Sequence, residues 1–446
     1  MILNMGCGGS AKIVCSSVFL QGRGLDEIRR HELSLMPAFL FNVEVGDCEV
    51  VASSLFGLFS RRAVFGGPLL GCALNDPHTD STAHMDRLVR LQFEVEEREE
   101  EWPMGYGMDE EKVARAREAF DMDQLRQFIH KEFTNESLNT RGIVVSYDGQ
   151  IVHEEYGSSE DVGNFDENTP QLGWSMTKSL LSTLIGMRIA EGKLSMDDHV
   201  SWKNKNHDHT ITVRDLLQMS SGLEFLETYG LVNDPAVMLF IEKDTAAYAS
   251  SKTHLHPPGH HWSYSSGSSN ILSRKLKETF DSEEEYLRYP REALFERLGM
   301  DSALMEVDPV GQYIGSSFSY ATARDWCKYG LLYLNDGKWP YGAEEQSQII
   351  SKSWVKDTAT PAPASHGLYG LHWWLGGAKT DPSTLPEKFH WLLSLPEGSF
   401  LCSGYDDQLV LVVPSHKLVI VRLGWTPKSR GWSGAPFFKG IADAMK

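Results

Sequence analysis

Two strongly apolar β-hairpin patterns lie far apart in the chain, and they constrain its fold more than any other feature. The first, GIVVSYDGQIVHEEY at 142–156, places two β-prone runs around an Asp-Gly dipeptide, which permits the positive φ of a tight turn. The second joins the runs at 409–413 and 418–423. Strands this apolar are covered on both faces, so we expect the two hairpins to share one sheet that helices flank.

The segments between the hairpins have helix and loop patterns, which predicts an α+β fold of the α/β sandwich type. We expect an antiparallel sheet flanked by helices, built from two separate parts at about 136–175 and 315–446. A helical lobe at about 176–314 is inserted between them. Together these parts form one predicted domain over 108–446.

Residues 1–107 are expected to form an accessory β-containing segment that ends in an acidic linker. β-Prone residues at 13–20 predict a strand, and the charge run EVEEREEE at 94–101 is typical of a solvated face. Cys15 and Cys72 each lie in a β-rich run of this segment. Two neighbouring strands would bring these thiols into disulfide reach, and the alternative is a pair of buried free thiols.

Charge and hydropathy limit the partners. With 42 Lys and Arg against 61 Asp and Glu, the net charge is −19, which repels a nucleic-acid backbone. The sequence has no run of 18 apolar residues and no clear signal peptide, so we expect no transmembrane segment and a cytoplasmic protein. A Cys15–Cys72 disulfide would instead indicate an exported or periplasmic one. The oligomeric state stays open.

A serine and a lysine three residues apart open an apolar helix, SMTKSLLSTLIGM at 175–187. Ser175 and Lys178 share a helix face there, close to free N–H groups and the positive end of the helix dipole. A partly desolvated lysine in that position is pushed toward its neutral form and can accept the serine proton. The pattern predicts a nucleophile and its base, although a capping serine beside a solvated lysine has the same spacing.

A hydroxyl-rich loop, PPGHHWSYSSGSSN at 257–270, precedes another predicted helix. In this loop Tyr264 is placed to relay a proton to a leaving group, and Ser266 to bond the ammonium of Lys178. The alternative is an ordinary helix cap with Tyr264 packed in the core.

Taken in order, these motifs resemble the serine β-lactamase and penicillin-binding protein superfamily. The motifs are SMTK at 175–178, MSSGL at 219–223 and PGHHWSYSS at 258–266, and the resemblance covers roughly 141–424. The chain is most similar to the class C-like branch, which contains carboxylesterases, D-amino-acid amidases and 6-aminohexanoate-dimer hydrolase. The resemblance implies a β-lactamase-like fold.

The resemblance also implies roles for individual residues. Ser175 would be the acylated nucleophile, Lys178 its general base, and Tyr264 the group that passes protons to and from the leaving group. Ser266 stands where lactamases usually carry Asn and where many esterases of the branch carry Ser, which makes a β-lactam a less favoured substrate.

The third motif of the superfamily, Lys-Thr-Gly, is absent from the sequence, and CSGYDDQ at 402–408 is expected in its place. After Gly404, the backbone N–H of Tyr405 would complete an oxyanion hole with that of Ser175. Relatives usually have Gly where this chain has Asp407. A carboxylate there would oppose a developing oxyanion if it pointed inward.

These features predict a serine hydrolase or acyltransferase acting on a small ester or amide, without a metal or an organic cofactor. The alternatives are a penicillin-interacting peptidase or β-lactamase, and a catalytically retired protein that binds ligands in the old pocket. Histidines at 207, 209 and 254–261 match no standard zinc spacing, so we expect them to serve loop packing or to face solvent.

Overall fold

The computed structural model of the chain describes residues 1–34, 40–75, 100–159, 163–200, 210–228, 233–341, 347–426 and 431–446. These residues form two compact units. Unit 1 comprises the described residues within Met1–Glu94, Gly192–Pro290 and Leu304–Ser319, and unit 2 comprises those within Val95–Glu191, Arg291–Ala303 and Tyr320–Lys446. Most of the charge run at 94–101 lies outside the described residues. The domain boundaries expected from the sequence stay a prediction.

The helices of the described residues are numbered here in chain order. They are α1 (Ile2–Phe19), α2 (Leu25–Arg30), α3 (Glu110–Arg117), α4 (Met122–Thr134), α5 (Thr177–Ala190), α6 (Val213–Leu217), α7 (Asp234–Phe240), α8 (Thr245–Ser250), α9 (Ser266–Lys277), α10 (Glu283–Tyr289), α11 (Ala323–Leu334), α12 (Lys352–Thr358), α13 (His390–Leu393) and α14 (Gly434–Ala442).

The described strands outside the two sheets discussed below have two or three residues each. They are β1 (Phe41–Val45), β2 (Glu49–Ser54), β3 (Phe59–Phe65), β4 (Cys72–Leu74), β5 (Thr140–Tyr147), β6 (Gln150–Tyr156), β7 (Ser158–Ser159), β8 (Gly163–Asn164), β9 (Gln171–Leu172), β10 (Leu304–Met305), β11 (Ser319–Ala321), β12 (Lys338–Trp339), β13 (Ser347–Gln348), β14 (Trp374–Leu375), β15 (Phe400–Gly404), β16 (Gln408–Val413) and β17 (Leu418–Gly424).

Unit 2 contains a six-stranded antiparallel sheet in the order β14-β15-β16-β17-β5-β6. Both predicted hairpins are present, and β17 pairs with β5 so that Val421 lies opposite Val144. At the first turn Asp148 and Gly149 have φ values of 48° and 85°, as the Asp-Gly dipeptide predicts. The prediction of one sheet built from distant parts of the chain is therefore confirmed.

Helices cover both faces of this sheet. On one face Ile129 of α4 and Phe437 of α14 pack with Leu411 of β16 in a buried cluster. On the other face lies α11, where a Cβ added at Gly330 would be 2.5 Å from Cγ1 of Val419. Glycine therefore lets the helix approach the strand closely. Each large side chain buried in this way stabilises the unit by about 1.5–3 kcal/mol.

Unit 1 contains α1 and a four-stranded antiparallel sheet, β1-β2-β3-β4. The strand predicted at 13–20 is wrong, because nearly all of these residues belong to α1. Ala11 and Val14 of α1 are buried with Val50 and Ala63 of the sheet. A helix that is buried on several sides has no single apolar stripe that would identify it as a helix. The β-branched residues in its sequence then favour the prediction of a strand.

A disulfide joins Cys15 to Cys72, with the two Cα atoms 6.1 Å apart. The hypothesised bond is present, but it links a helix to a strand and not two strands. By length and composition α1 is also apolar enough to cross a membrane, yet most of it is buried inside unit 1. The expectations about compartment and membrane spans stay predictions.

Candidate active site

Ser175 and Lys178 meet where a 3-10 turn, Trp174–Met176, runs into α5. The Nζ atom of Lys178 donates a hydrogen bond to Oγ of Ser175 at 3.1 Å. The lysine is only 1% exposed, whereas the serine is half-buried. The structure therefore places a shielded amine beside the hydroxyl of a half-buried serine, an arrangement that suits a serine nucleophile and its base.

The backbone just before Ser175 is strained. Trp174 has a φ of 47°, a left-handed conformation that costs a bulky residue about 1–3 kcal/mol. Packing holds it there, because the Trp174 ring lies 5.7 Å from the ring of Tyr405 and 6.4 Å from that of Trp425. Oγ1 of Thr177 also donates a hydrogen bond to the Trp174 carbonyl oxygen at 2.6 Å. The fold thus fixes the turn that carries Ser175.

Hydroxyl groups further along α5 anchor the helix in the core of unit 2. Ser179 and Ser182 donate hydrogen bonds to the carbonyl oxygens of His372 and Leu371, each at 2.8 Å. Because these buried donors all have partners, α5 is held in a defined rotation about its axis. That rotation keeps Lys178 pointing toward Ser175.

The segment expected to replace the third motif lies against the Ser175 turn. A Cβ added at Gly404 would be 2.2 Å from the carbonyl oxygen of Gly173, so only glycine fits at this crossing. Tyr405 follows directly and begins a short 3-10 turn. Burial, reinforced by the charge of Asp406, raises the pKa of Tyr405, so its phenol stays protonated at neutral pH. The oxyanion hole of Ser175 and Tyr405 stays a prediction.

Asp407 is tied to a buried arginine of β17. Its carbonyl oxygen accepts a hydrogen bond from Nη1 of Arg422 at 3.0 Å. Burial lowers the pKa of Arg422 to about 10, and the negative charge of Asp407 opposes that shift. Asp407 also has a φ of 62°, which Asp tolerates better than most residues. This departure from the family pattern therefore stabilises a buried cation.

Tyr264 and Ser266 belong to unit 1, where they flank the N-cap of α9. Oγ of Ser265 accepts a hydrogen bond from the backbone N–H of Ser268 at 3.2 Å. Tyr264, just before this cap, is half-buried, and Ser266 is the first residue of the helix. The cap at Ser265, which was the alternative for this loop, is therefore present, and the proton relay assigned to Tyr264 stays a prediction.

The MSSGL motif supports the loop that carries Tyr264. The carbonyl oxygen of Met219 accepts a hydrogen bond from the backbone N–H of Ser263 at 2.8 Å. Gly222 has a φ of 78°, and a Cβ there would be 1.9 Å from the carbonyl oxygen of His256. The two motifs therefore interlock through main-chain contacts, with a glycine where no side chain fits.

Sequence reasoning missed Glu227. Its two carboxylate oxygens accept hydrogen bonds from Oγ of Ser266 at 2.7 Å and from the Ser266 backbone N–H at 2.8 Å. The two residues are 39 positions apart, so no local spacing could reveal the pair. The partner predicted for Ser266, the ammonium of Lys178, is not tested by this contact.

The described histidines at 254, 256 and 261 contact neighbouring loop residues. His254 contacts the carbonyl oxygen of Ser221 through Nε2 at 3.0 Å, and the rings of His256 and His261 lie 4.2 Å apart. Among the described residues no group of three His, Cys, Asp or Glu side chains is arranged to hold a metal ion. The histidines at 207 and 209 lie outside the described residues.

Comparison with known proteins identifies the family. The Beta-lactamase family model matches residues 126–429, which is more than half of the chain. The chain belongs to the β-lactamase family. The match includes Ser175, Lys178, Tyr264 and the 402–408 segment, so the family resemblance drawn from the motifs is confirmed.

Relatives of this β-lactamase-family chain are distant in sequence. An uncharacterised protein of Alkalihalophilus pseudofirmus is 24% identical over 315 residues, which cover 65% of this chain and 85% of the relative. A putative 6-aminohexanoate-dimer hydrolase from Bacillus anthracis is 20% identical, with a TM-score of 0.53 over 68% of this chain and 77% of the other.

Two further solved structures have the same fold. EstCE1, described as a hydrolase with promiscuous acyltransferase activity, is 13% identical, with a TM-score of 0.55 over 75% of this chain and 98% of the other. A class C β-lactamase mutant is 17% identical, with a TM-score of 0.53 over 76% of this chain and 99% of the other. These likenesses confirm the α+β, β-lactamase-like fold, and family membership supports serine hydrolase chemistry.

Proposed function

We propose that this β-lactamase-family protein cleaves a small ester or amide through an acyl-enzyme on Ser175, by hydrolysis or by acyl transfer. The observation that carries the proposal is the 3.1 Å hydrogen bond between Nζ of Lys178 and Oγ of Ser175. Lys178 is 1% exposed, so its amine lies beside the serine hydroxyl and away from solvent, which suits a group that takes up the serine proton. The chemistry requires no metal and no organic cofactor.

In the acylation step, Oγ of Ser175 attacks the substrate carbonyl carbon while Lys178 accepts the hydroxyl proton. The backbone N–H groups of Ser175 and Tyr405 stabilise the oxyanion that forms, a contribution worth about 10²- to 10³-fold in rate for one donor. Tyr264 passes a proton to the leaving alcohol or amine, and the C–O or C–N bond breaks. The acyl group is then held as an ester of Ser175.

In the second step a nucleophile attacks this ester. Water gives hydrolysis, and an alcohol or amine gives acyl transfer. The attacking group loses a proton to the Tyr264 and Lys178 pair, and Oγ of Ser175 regains one as it leaves. Lys178 and Tyr264 therefore transfer protons both when the acyl-enzyme forms and when it is cleaved.

The test is a substrate panel of p-nitrophenyl esters, D-amino-acid amides and penicillins, combined with intact mass spectrometry of the acylated protein. We expect turnover of an ester or amide by the wild type and none by Ser175→Ala. Ser195→Ala, which changes an exposed serine, is the matched control and should retain wild-type rates.

The panel also separates the alternatives. Rapid turnover or stable acylation by penicillins alone would favour the β-lactamase or penicillin-interacting peptidase. A protein that binds substrates but is never acylated would be a retired member of the family, and the proposed function would be wrong.

A further inference from the structure

Three exposed apolar side chains lie together on one hairpin turn of unit 1. The turn at 55–58 joins β2 to β3, and we call these four residues the apolar tip. Phe56 is fully exposed, Leu58 is 76% exposed and Leu55 is 46% exposed. Single apolar residues are common on protein surfaces, whereas a contiguous apolar patch marks a contact with another protein or with a membrane.

The backbone of the apolar tip is strained. Leu55 has a φ of 50° and Phe56 a φ of 56°, both in the left-handed region that bulky residues rarely adopt. Gly57, with a φ of 88°, escapes the penalty because it has no Cβ. Asn or Asp would adopt this conformation at lower cost, so turn formation gives no reason for a leucine and a phenylalanine here. Strain of this kind is typical of functional positions.

Polarity rises in steps away from the apolar tip. Two residues below the turn, Ser53 of β2 is paired with Ser60 of β3 and with Asn42 of β1, which gives an uncharged polar row. Two rows further on, Arg62 of β3 and Glu44 of β1 flank β2 and form a charged row. At about 3.3 Å per residue, the charged row lies about 13 Å from the turn.

One arginine lies nearer to the turn, but it points into the protein. Arg61 is buried, and its Nη2 donates a hydrogen bond to the carbonyl oxygen of Phe240 at 3.1 Å. The eight residues SSLFGLFS at 53–60 carry no charge, although charged residues make up 23% of the chain. The apolar tip and the serine row can therefore leave bulk water without taking an ion with them.

The start of α1 lies at the same end of unit 1 as the apolar tip. A Cβ added at Gly6 would be 2.5 Å from Cζ of Phe41, at the end of β1 that lies beside the turn. Further along α1, Cys15 is bonded to Cys72 of β4, which pairs with the far end of β3. The helix therefore runs away from the tip. Residues 1–2, which are exposed, lie about 6 Å beyond Gly6 toward the tip.

We propose that the apolar tip inserts into the interface of a lipid bilayer. Interfacial segments bury their apolar side chains about 5–10 Å into the boundary between headgroups and acyl chains. At that depth the apolar tip lies among the acyl chains, the serine row among the headgroups and the charged row in water. A protruding turn needs a matching groove on a protein partner, whereas lipids adapt to its shape. The net charge of −19 favours a neutral lipid surface over an anionic one.

The experiment is co-sedimentation of the purified chain with phosphatidylcholine vesicles at low and high salt. A tip variant combines Leu55→Asn, Phe56→Asn and Leu58→Ser, and asparagine tolerates the left-handed backbone at the first two positions. Val45→Asn is the matched control, because it removes an exposed apolar side chain from the opposite end of the same sheet.

We expect the wild type to bind neutral vesicles with little dependence on salt, since no charge lies in the inserted part. The tip variant should bind at least about 10²-fold more weakly, because withdrawing each large side chain from water contributes about tenfold or more. Val45→Asn should bind like the wild type. The Tm of the tip variant should equal or exceed that of the wild type, because the substitutions relieve the backbone strain.

Four results would overturn the proposal. The first is a wild type that does not bind neutral vesicles, and the second is equal binding by the wild type and the tip variant. The third is self-association of the wild type that the tip variant loses, without vesicle binding, which would assign the tip to a second copy of this chain. The fourth is a Tm of the tip variant well below that of the wild type, which would show that these side chains pack inside the protein.

Discussion

Replacing Gly404 with alanine perturbs the crossing of β15 over the Ser175 turn without removing any reactive group. The added Cβ would lie 2.2 Å from the carbonyl oxygen of Gly173, two residues before the nucleophile. A methyl carbon and a carbonyl oxygen normally rest about 3.4 Å apart, so the two segments must separate by about 1 Å. Both are main-chain segments of unit 2 and cannot rotate out of the way as a side chain could.

This displacement would alter the spacing between the N–H groups of Tyr405 and Ser175. A misplacement of about 1 Å can cost about 10²-fold in rate, and loss of one oxyanion donor about 10²- to 10³-fold. We therefore expect Gly404→Ala to lower kcat/KM by at least about 10²-fold on any ester that the wild type cleaves. Overpacking should also cost about 1–3 kcal/mol, a fall in Tm of a few degrees.

The assay is steady-state hydrolysis of the best p-nitrophenyl ester, with Tm from circular dichroism. Gly107→Ala is the matched control, since a Cβ there meets its nearest neighbour at an ordinary 3.7 Å. It should change neither activity nor Tm appreciably. Full activity and an unchanged Tm for Gly404→Ala would refute the close crossing and the oxyanion geometry derived from it.

Further predictions concern the other groups of the site and the disulfide. Lys178→Met should lower the acylation rate about 10²- to 10⁴-fold, as measured by rapid-quench mass spectrometry. A loss of less than tenfold would exclude the lysine as base. Tyr264→Phe should slow release of a poor leaving group more than that of p-nitrophenol, and equal effects on both would contradict the relay. Asp407→Asn, which keeps a residue tolerant of positive φ, should lower Tm by a few degrees and leave kcat/KM within about threefold, whereas lost activity at constant Tm would place Asp407 in the chemistry. Protein isolated without reductant should show four free thiols among its six cysteines, and six free thiols would exclude the disulfide. Breaking the Cys15–Cys72 bond, whose sequence separation is 57, should lower the free energy of unfolding by about 4 kcal/mol.

Local patterns predicted the parts of the molecule that local chemistry determines. The Asp148-Gly149 turn follows from the backbone freedom of that dipeptide, and the contact of Ser175 with Lys178 follows from helical spacing. The pairing of distant hairpins was predictable because strongly apolar strands need covering on both faces.

Features set by tertiary contacts were not predictable in this way. Part of the first helix was predicted as a strand because Ile13 and Val14 favour β structure. In the structure this segment is helical and packs against the sheet of unit 1. Gly8 illustrates the cause, since a Cβ there would be 2.1 Å from the carbonyl oxygen of Phe240, far along the chain. Glu227 was missed for the same reason, because only the fold brings it to Ser266.

The central claim is that Ser175 becomes acylated with Lys178 as its base. Its most direct test is intact mass spectrometry after exposure to a fluorophosphonate, followed by peptide mapping of the labelled residue. We expect one adduct per chain, located on Ser175, absent from Ser175→Ala and strongly slowed in Lys178→Met. An adduct on any other residue, or undiminished labelling of Ser175→Ala, would contradict the account.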